Sequence, residues 1–496
     1  LGNVSASSSE GAPEGPAESK VVWLYEAAQK IYPRSVSGRF ARLRWVVVGL
    51  TQLTFYGLPW LVWNARQAVL FDLAERKFYL FGIVLWPQDF IYLTGLLVIC
   101  ALTLFWITAV AGRLWCGYAC PQTVYSEIFL WIERHTEGDR NARMRLDQGP
   151  WTLQKMSRKG LKHLGWGVLA LLTGFTFVGY FEPIRELPGA LLSGDISGWT
   201  LFWLGFYAFA TWGNAGFMRE QVCKYMCPYA RFQSAMFDRD TLTVTYDTKR
   251  GEPRGSRART ADPATVGLGD CIDCKLCVQV CPTGIDIRHG LQYECIGCAA
   301  CVDVCDEIMG RMDYPKGLIR YTTERALDQS SPVADETIVA PPSTKIAPAR
   351  SAENLRHLWR PRTILYACLL TGIISLWAWG LASRNPLRVD VIRDRNALAR
   401  WVAEDRIENV YQLQLMNSDE TAHRYTIGVN GLAGATITTP RQVEVKAASN
   451  RTVPLRIQIP EDSSPRGSWP IEITIQSEDP VIAMVRERSV FIVPDQ

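Results

Sequence analysis

Five stretches of the chain are almost free of polar residues: roughly 45–63 ("WVVVGLTQLTFYGLPWLVW"), 90–111 ("FIYLTGLLVICALTLFWITAVA"), 163–181, 198–217 and 363–382. A helix that crosses a bilayer takes about 20 apolar residues, so each stretch is expected to span a membrane. A single one would read equally well as a buried core helix; five in one chain point to a membrane bundle. Lys and Arg gather on one side of these spans, and that bias sets orientation. "GRFARLR" precedes the first and "RHLWRPR" the fifth, and the loop after the second carries Arg134, Arg140, Arg143, Arg145, Lys155, Arg158, Lys159 and Lys162. The loop at 182–197 has Arg185 alone, whereas the loop at 64–89 is mixed, with Arg66, Arg76 and Lys77. The N-terminus is therefore expected in the cytoplasm and, after five spans, the C-terminus across the membrane.

Beyond the fifth span the pattern changes to short runs of alternating polarity: "NVYQLQLMN", "RYTIGVNG", "ATITTP", "QVEVKA", "TVPLRIQI", "PIEITIQS" and "SVFIVP". Seven such strands with turn signals between them predict an immunoglobulin-like sandwich. It carries no cysteine and no catalytic constellation, which suits a docking module. The opening "LGNVSASSSEGAPEGPAESK" is polar, low in complexity and without an apolar signal-peptide core, so a disordered cytoplasmic tail is expected there. Residues 322–350 are rich in Pro, Ser and Ala and read as a flexible tether. The expected order is a tail (1–38), a four-helix membrane region (39–218), a cysteine-rich cytoplasmic segment (219–321), a linker (322–362), a fifth membrane helix (363–383) and the sandwich on the far side (388–496).

Composition agrees with a membrane protein. Aromatic residues make up 11% and Trp alone numbers 18, an excess expected where rings line the interface. A net charge of +4 gives no reason to expect nucleic acid. The 14 cysteines are too unevenly placed for a secreted disulfide scaffold: eight fall between Cys271 and Cys305, and Cys100 and Cys368 sit in apolar runs. "CIDCKLCVQVCP" and "CIGCAACVDVC" each repeat Cys-x2-Cys-x2-Cys-x3-Cys, the spacing of a bacterial two-cluster ferredoxin, in which the fourth cysteine of each run serves the other cluster. Cys271, Cys274, Cys277 and Cys305 are thus expected to hold one 4Fe–4S cluster, and Cys295, Cys298, Cys301 and Cys281 the other. Structural zinc sites are the alternative. Asp306 stands where proline would follow the second run, and its charge should lower the nearby potential. Such a pair of clusters moves electrons and does no substrate chemistry itself.

The four remaining cysteines lie in two copies of one phrase, "WCGYACPQT" (115–123) and "VCKYMCPYA" (222–230). Each first cysteine sits about 25 residues from the start of its span, one membrane crossing and a short turn. Both copies therefore fall on the cytoplasmic rim, and the repeat suggests a pseudo-twofold arrangement that brings them together. Twelve cysteines then face a reducing compartment, where clustered thiols signal metal or redox chemistry. Proline suits the first helical position, so Cys120 and Cys227 are expected at helix N-caps, where free amides lower a thiol pKa; Cys116 and Cys223 lie close by. Four readings compete: a soft site for Cu(I), a third iron–sulfur cluster, a dithiol–disulfide pair, or packing at helix ends. Met218 and Met226 add thioether sulfur nearby. His135, His163 and His357 lie at helix ends, and no pair deep in the spans suits a b-type haem.

Taken together, the spans, the twin phrases, the ferredoxin runs and the terminal sandwich resemble the CcoG family, also called FixG or RdxA, the cytochrome c oxidase accessory proteins of bacterial inner membranes. "CGYACPQTVYSEIFLWIERHTEGDR", "DCIDCKLCVQVCPTGIDIR", "ECIGCAACVDVCDE" and "GLIRYTTERAL" carry the resemblance, which covers all but the N-terminal tail. It implies a multi-domain integral membrane protein: a five-span α-helical bundle, an α+β ferredoxin domain with two 4Fe–4S clusters, and an immunoglobulin-like β-sandwich in the periplasm. The implied activity is reduction of Cu(II) to Cu(I) for assembly of cbb3-type cytochrome c oxidase. Cys116, Cys120, Cys223 and Cys227 would handle copper, as substrate or transiently bound ion, or hold a third cluster. The implied partners are oxidase assembly factors, a copper chaperone or exporter, membrane lipid and an unnamed electron donor, with homodimerisation left open. Two rivals remain. A quinol dehydrogenase resembling NapH shares the spans, twin phrases and ferredoxin but lacks the large terminal sandwich. A non-enzymatic assembly scaffold would use the clusters only to sense redox state.

Overall fold

Long apolar runs become long helices in the computed structural model, which describes residues 30–259, 261, 267–329, 359–394, 399–402, 405–461, 466–478 and 484–494. Among the described residues, three helices are long and apolar enough to cross a membrane: Pro87–Ala111, Leu153–Val178 and Pro361–Ala382. The other two expected spans are also helices, outside that length and apolarity. Arg39–Gly57 brings Arg39, Arg42 and Arg44 into its first turns and is too polar. Gly198–Gly213 stops at 16 residues and continues as a π-turn, Asn214–Met218. Leu153–Val178 starts well before the apolar run that announced it, so Lys155 and Lys162 belong to its first turns. Pro361–Ala382 is pinned to Phe90–Ala111 by two bonds: the Trp377 indole donates to the Tyr92 carbonyl (2.9 Å) and the Tyr92 hydroxyl to the Gly380 carbonyl (3.0 Å).

Two folded units occupy opposite ends of the helices. At one end the Asp303 carboxylate, within the cysteine-rich segment, accepts the amides of Phe40 (3.1 Å) and Ala41 (2.7 Å) and so caps Arg39–Gly57. At the other end buried Asp89 pairs with Arg384 (3.2 Å) and Arg388 (2.5 Å), and the Trp86 indole donates to Ser418 (3.0 Å). Between them runs Phe90–Ala111, 22 residues or roughly 33 Å at helical rise.

The terminal unit is a sandwich. One sheet joins Thr436–Ile437, Asn450–Pro460, Arg406–Asn417 and Leu387–Arg393, with Arg400–Val402 also on Arg406–Asn417; the other joins Gln442–Val445, His423–Asn430, Gly467–Ser477 and Val485–Val493. Alternate residues Tyr411, Leu413 and Leu415 face Tyr425, Ile427, Ile471, Ile473 and Phe491 in the core. All seven expected strands form. Leu387–Arg393 and Arg400–Val402 were not among the expected strands, although Leu387, Val389 and Val391 alternate with Arg388 and Asp390. The loop at 64–89 also holds unannounced structure, a meander of Val69–Asp72, Lys77–Leu80 and Ile83–Leu85.

Most of the expected tail and tether lies outside the described residues. Where they are described, they are anchored. Lys30 pairs with Asp147 (2.6 Å), the Tyr32 hydroxyl donates to the same carboxylate (2.7 Å), and the Arg34 amide donates to Gln279 (2.9 Å). The expectation of disorder does not hold for residues 30–38, because polar groups from 30 onward find partners on the folded body. Glu324–Gln329 is likewise a helix rather than part of a tether.

Candidate functional site

The cysteine-rich segment is closed by two paired strands, Thr243–Tyr246 and Ile319–Thr322. Between them the two runs adopt matching backbones. Asp273 (φ 51°) and Gly297 (φ 68°) precede the second cysteine of each run, and Lys275 (φ 55°) and Ala299 (φ 57°) follow it. Left-handed residues other than glycine are uncommon; here they curl each run so that its sulfurs face one cavity. Cys271, Cys274, Cys277 and Cys305 line the first cavity. Cys281, Cys295, Cys298 and Cys301 line the second, with Cys277 at its edge. The fourth cysteine of each run has crossed to the other's cavity. Each set of four thus lines its own cavity. Burial pushes the thiols of Cys277 and Cys295 up to about 12 and raises those of Cys298, Cys301 and Cys305 as well. They would ionise on binding metal, which takes thiolates.

The twin phrases meet. Cys116 lies in a short helix, Leu114–Tyr118, and Cys120 caps Pro121–Glu137; Cys223 lies in a π-turn, Val222–Met226, and Cys227 caps Pro228–Met236. The Gln122 amide donates to the carbonyls of Asn214 (2.9 Å) and Arg219 (3.1 Å), the Arg113 guanidinium to that of Ala230, and the Cys116 thiol to Gln233 (3.3 Å). Arg219 also pairs with Glu133 (2.8 Å), as does Arg143 (2.8 Å). Burial raises the Glu133 carboxyl, but Arg219, Arg143 and Lys162 outweigh it and hold it below the ordinary range. All four cysteines are half-buried, and each is within electrostatic reach of others in the set. They are neighbours without closing on a single ion position.

One expectation is corrected. Both N-caps form, yet the Cys120 thiol is raised rather than lowered. Burial pushes Cys116 up to about 11 and Cys223 up to about 12; at Cys120 it outweighs the amides of Gln122 and Thr123, which act the other way. Desolvation of a thiolate exceeds what one helix end returns. Met218 and Met226 point largely outward, at 37% and 56% exposure. His135 donates to the Trp131 carbonyl (2.8 Å) and His163 packs among Trp166, Trp212 and Phe217, both in packing roles; His357 lies outside the described residues.

The first phrase also touches the second cavity. A Cβ at Gly117 would sit 2.8 Å from the Gly297 carbonyl and 2.9 Å from the Cys298 amide, so only glycine permits this approach. Gly297 in turn lies against the main chain of Arg113. Cys116 packs on the apolar group of Ile296 and Cys298, Arg44 donates to the Cys298 carbonyl (3.3 Å), and Tyr321 donates to that of Gly297. The sulfurs thus form a series: first cavity, second cavity, twin phrases. Sequence reasoning missed Arg44, Arg113, Gly117, Gln233 and Tyr321. Gly117 lay inside the first phrase, Arg113 two residues before it and Tyr321 within "GLIRYTTERAL".

Comparison with known proteins gives three family matches: a "4Fe-4S binding domain" over residues 93–137, a "4Fe-4S dicluster domain" over 218–324, and an "IG-like fold at C-terminal of FixG" over 377–494. The chain is 39% identical over 455 residues to "Nitrogen fixation protein FixG" of Rhizobium meliloti (strain 1021), covering 88% of this chain and 87% of that protein. It is 39% identical over 473 residues to "Protein RdxA" of Cereibacter sphaeroides, covering 92% and 95%. It is 40% identical over 448 residues to "Protein RdxB" of the same organism, covering 88% and 90%. With three membrane-length apolar helices, these matches mark a membrane-bound oxidoreductase that carries 4Fe–4S clusters. The chain belongs to the FixG family.

Proposed function

We propose that the chain is a cupric reductase of the bacterial inner membrane that serves assembly of a cbb3-type oxidase. Cys271, Cys274, Cys277 and Cys305 would hold one 4Fe–4S cluster, and Cys281, Cys295, Cys298 and Cys301 the other. Clusters there would supply electrons one at a time. Cys116, Cys120, Cys223 and Cys227 receive Cu(II) as substrate; each ion takes one electron and leaves as Cu(I), the state that soft thiolates favour. The close packing of Gly117 on Gly297 and Cys298 carries this reading, because it sets the thiol group beside the ferredoxin segment without intervening side chains. An electron donor refills the clusters, and a copper chaperone or exporter takes the product; the sandwich is the docking face for oxidase assembly factors. The ferredoxin segment lies on the cytoplasmic side and the sandwich in the periplasm.

The test is anaerobic: reduce the purified protein, remove excess reductant, add Cu(II), and read Cu(I) with a chromogenic chelator. One Cu(I) should appear per electron lost from the clusters. Cluster oxidation without Cu(I), or Cu(I) formed only by free reductant, would refute the reading. A second reading has its own support. The family match over 93–137 is to a 4Fe–4S binding domain and includes Cys116 and Cys120, so the twin phrases would hold a third cluster. Iron and sulfide counts on the wild type separate the two, since a third cluster adds about half as much iron again.

A further inference from the structure

The charges around the two cysteine cavities differ in sign. At the first, Arg288 is matched by two carboxylates, Asp286 (2.6 Å) and Asp273 (2.5 Å). Asp306, directly after Cys305 and bonded to the Gly317 amide (2.8 Å), adds a third, and Lys275 is exposed to solvent. At the second stand Arg44 and Arg113, each only 5% exposed. Neither forms an ion pair among the described residues, and the Nε of each lacks a hydrogen-bond partner. The nearby carboxylates are engaged elsewhere. Asp303 takes two amides at the start of Arg39–Gly57, and Glu127 pairs with Arg134 (3.4 Å).

Unpaired buried cations are costly unless an anionic group stands beside them. A cubane held by four thiolates is such a group, and its potential responds to net charge and hydrogen bonding nearby. We propose that Arg44 and Arg113 make the second cavity the high-potential site of the pair, with the carboxylates holding the first one low, and that Arg113 extends its field to the twin phrases. The inference rests on the reading that the two cavities hold clusters. Arg113 spans both regions: its main chain lies on Gly297, while its guanidinium bonds to Ala230 on the helix that Cys227 caps. Its charge also counters burial at Cys295, Cys116 and Cys223 alike. Arg44 and Arg113 are positioning residues, acting through the cluster site beside them.

The test is a redox titration of the full-length protein in detergent, followed by electron paramagnetic resonance, with iron counted in each sample. The wild type should show two separate midpoints. Arg44→Met and Arg113→Met should each lower the upper midpoint alone, shifting the preference of an electron for the second site at least tenfold, about 59 mV. Arg113→Lys should restore it, and Asp306→Asn should raise only the lower midpoint. Coincident midpoints in the wild type overturn the proposal, whether or not the Met variants fold. So does an unmoved upper midpoint in iron-replete Met variants. Wild-type protein without iron would instead overturn the cluster reading.

Discussion

The ferredoxin segment and the twin phrases gather thiols by opposite routes. In the first, eight cysteines between Cys271 and Cys305 are brought together by local backbone, with left-handed residues at matching places in both runs. In the second, Cys116 and Cys120 meet Cys223 and Cys227 only after the intervening helices have packed, through bonds such as Gln122 to Asn214 and Arg113 to Ala230. A site built from local loops tolerates movement of its surroundings. A site built between helices depends on every contact that sets them. Burial does not separate the two regions: Cys277 and Cys298 are buried and Cys274 is exposed, but the other five ferredoxin cysteines are half-buried, as are all four twin thiols.

The largest effect that would sharpen this contrast comes from Cys298→Ser. It should remove about half of the ferredoxin iron, because one of two cubanes loses a ligand, and iron analysis against protein concentration reads it directly. Unchanged iron would break the assignment of the second cavity. Next in size, Gly117→Ala places a methyl against backbone that cannot swing aside. Overpacking of this kind costs about 1–3 kcal/mol, so thermal unfolding should begin earlier. Iron should be retained while Cu(I) formation by pre-reduced protein slows. Equal rates would mean that the contact plays no part in transfer.

The smallest effect is expected at the strap of residues 30–37, which joins the ferredoxin segment to the helices. Burial raises the Asp147 carboxyl, but bonds from Lys159, Lys30 and Tyr32 outweigh it and hold it well below the ordinary range. A depressed carboxyl stabilises the fold above its unfolded pKa of about 3.9, and that contribution is lost as pH falls toward the folded value. Asp147→Asn should remove about 1 kcal/mol, typical of a lost hydrogen bond, and loosen residues 30–36 at neutral pH. Amide exchange over that segment checks it. In the wild type the same loosening should appear only at acid pH.

What was legible in the sequence follows from range. The grouping of the eight ferredoxin cysteines around two cavities could be read because Cys-x2-Cys-x2-Cys-x3-Cys spacing is local chemistry, and the crossing of Cys281 and Cys305 follows from it. Seven strands of the sandwich were legible from alternation; Leu387–Arg393 alternates too, but follows the fifth apolar run so closely that it was passed over. The caps at Cys120 and Cys227 were announced by Pro121 and Pro228. The thiol chemistry of Cys120 was misjudged, because helix position is written in sequence while desolvation is set by packing. Arg44 gave no signal, lying in a helix that read as a membrane span with a basic flank. The first and fourth expected spans are helices as well, one beginning earlier at Arg39 and the other ending in a π-turn.

The division of labour between the two regions is tested most directly by changing Cys116, Cys120, Cys223 and Cys227 to Ser one at a time, then measuring both iron content and Cu(I) production from Cu(II) in anaerobically reduced protein. The account predicts iron equal to wild type in every variant with Cu(I) production lost. Iron lost together with activity would contradict it and make the twin phrases a third cluster site; Cu(I) production unchanged would remove copper from these cysteines altogether.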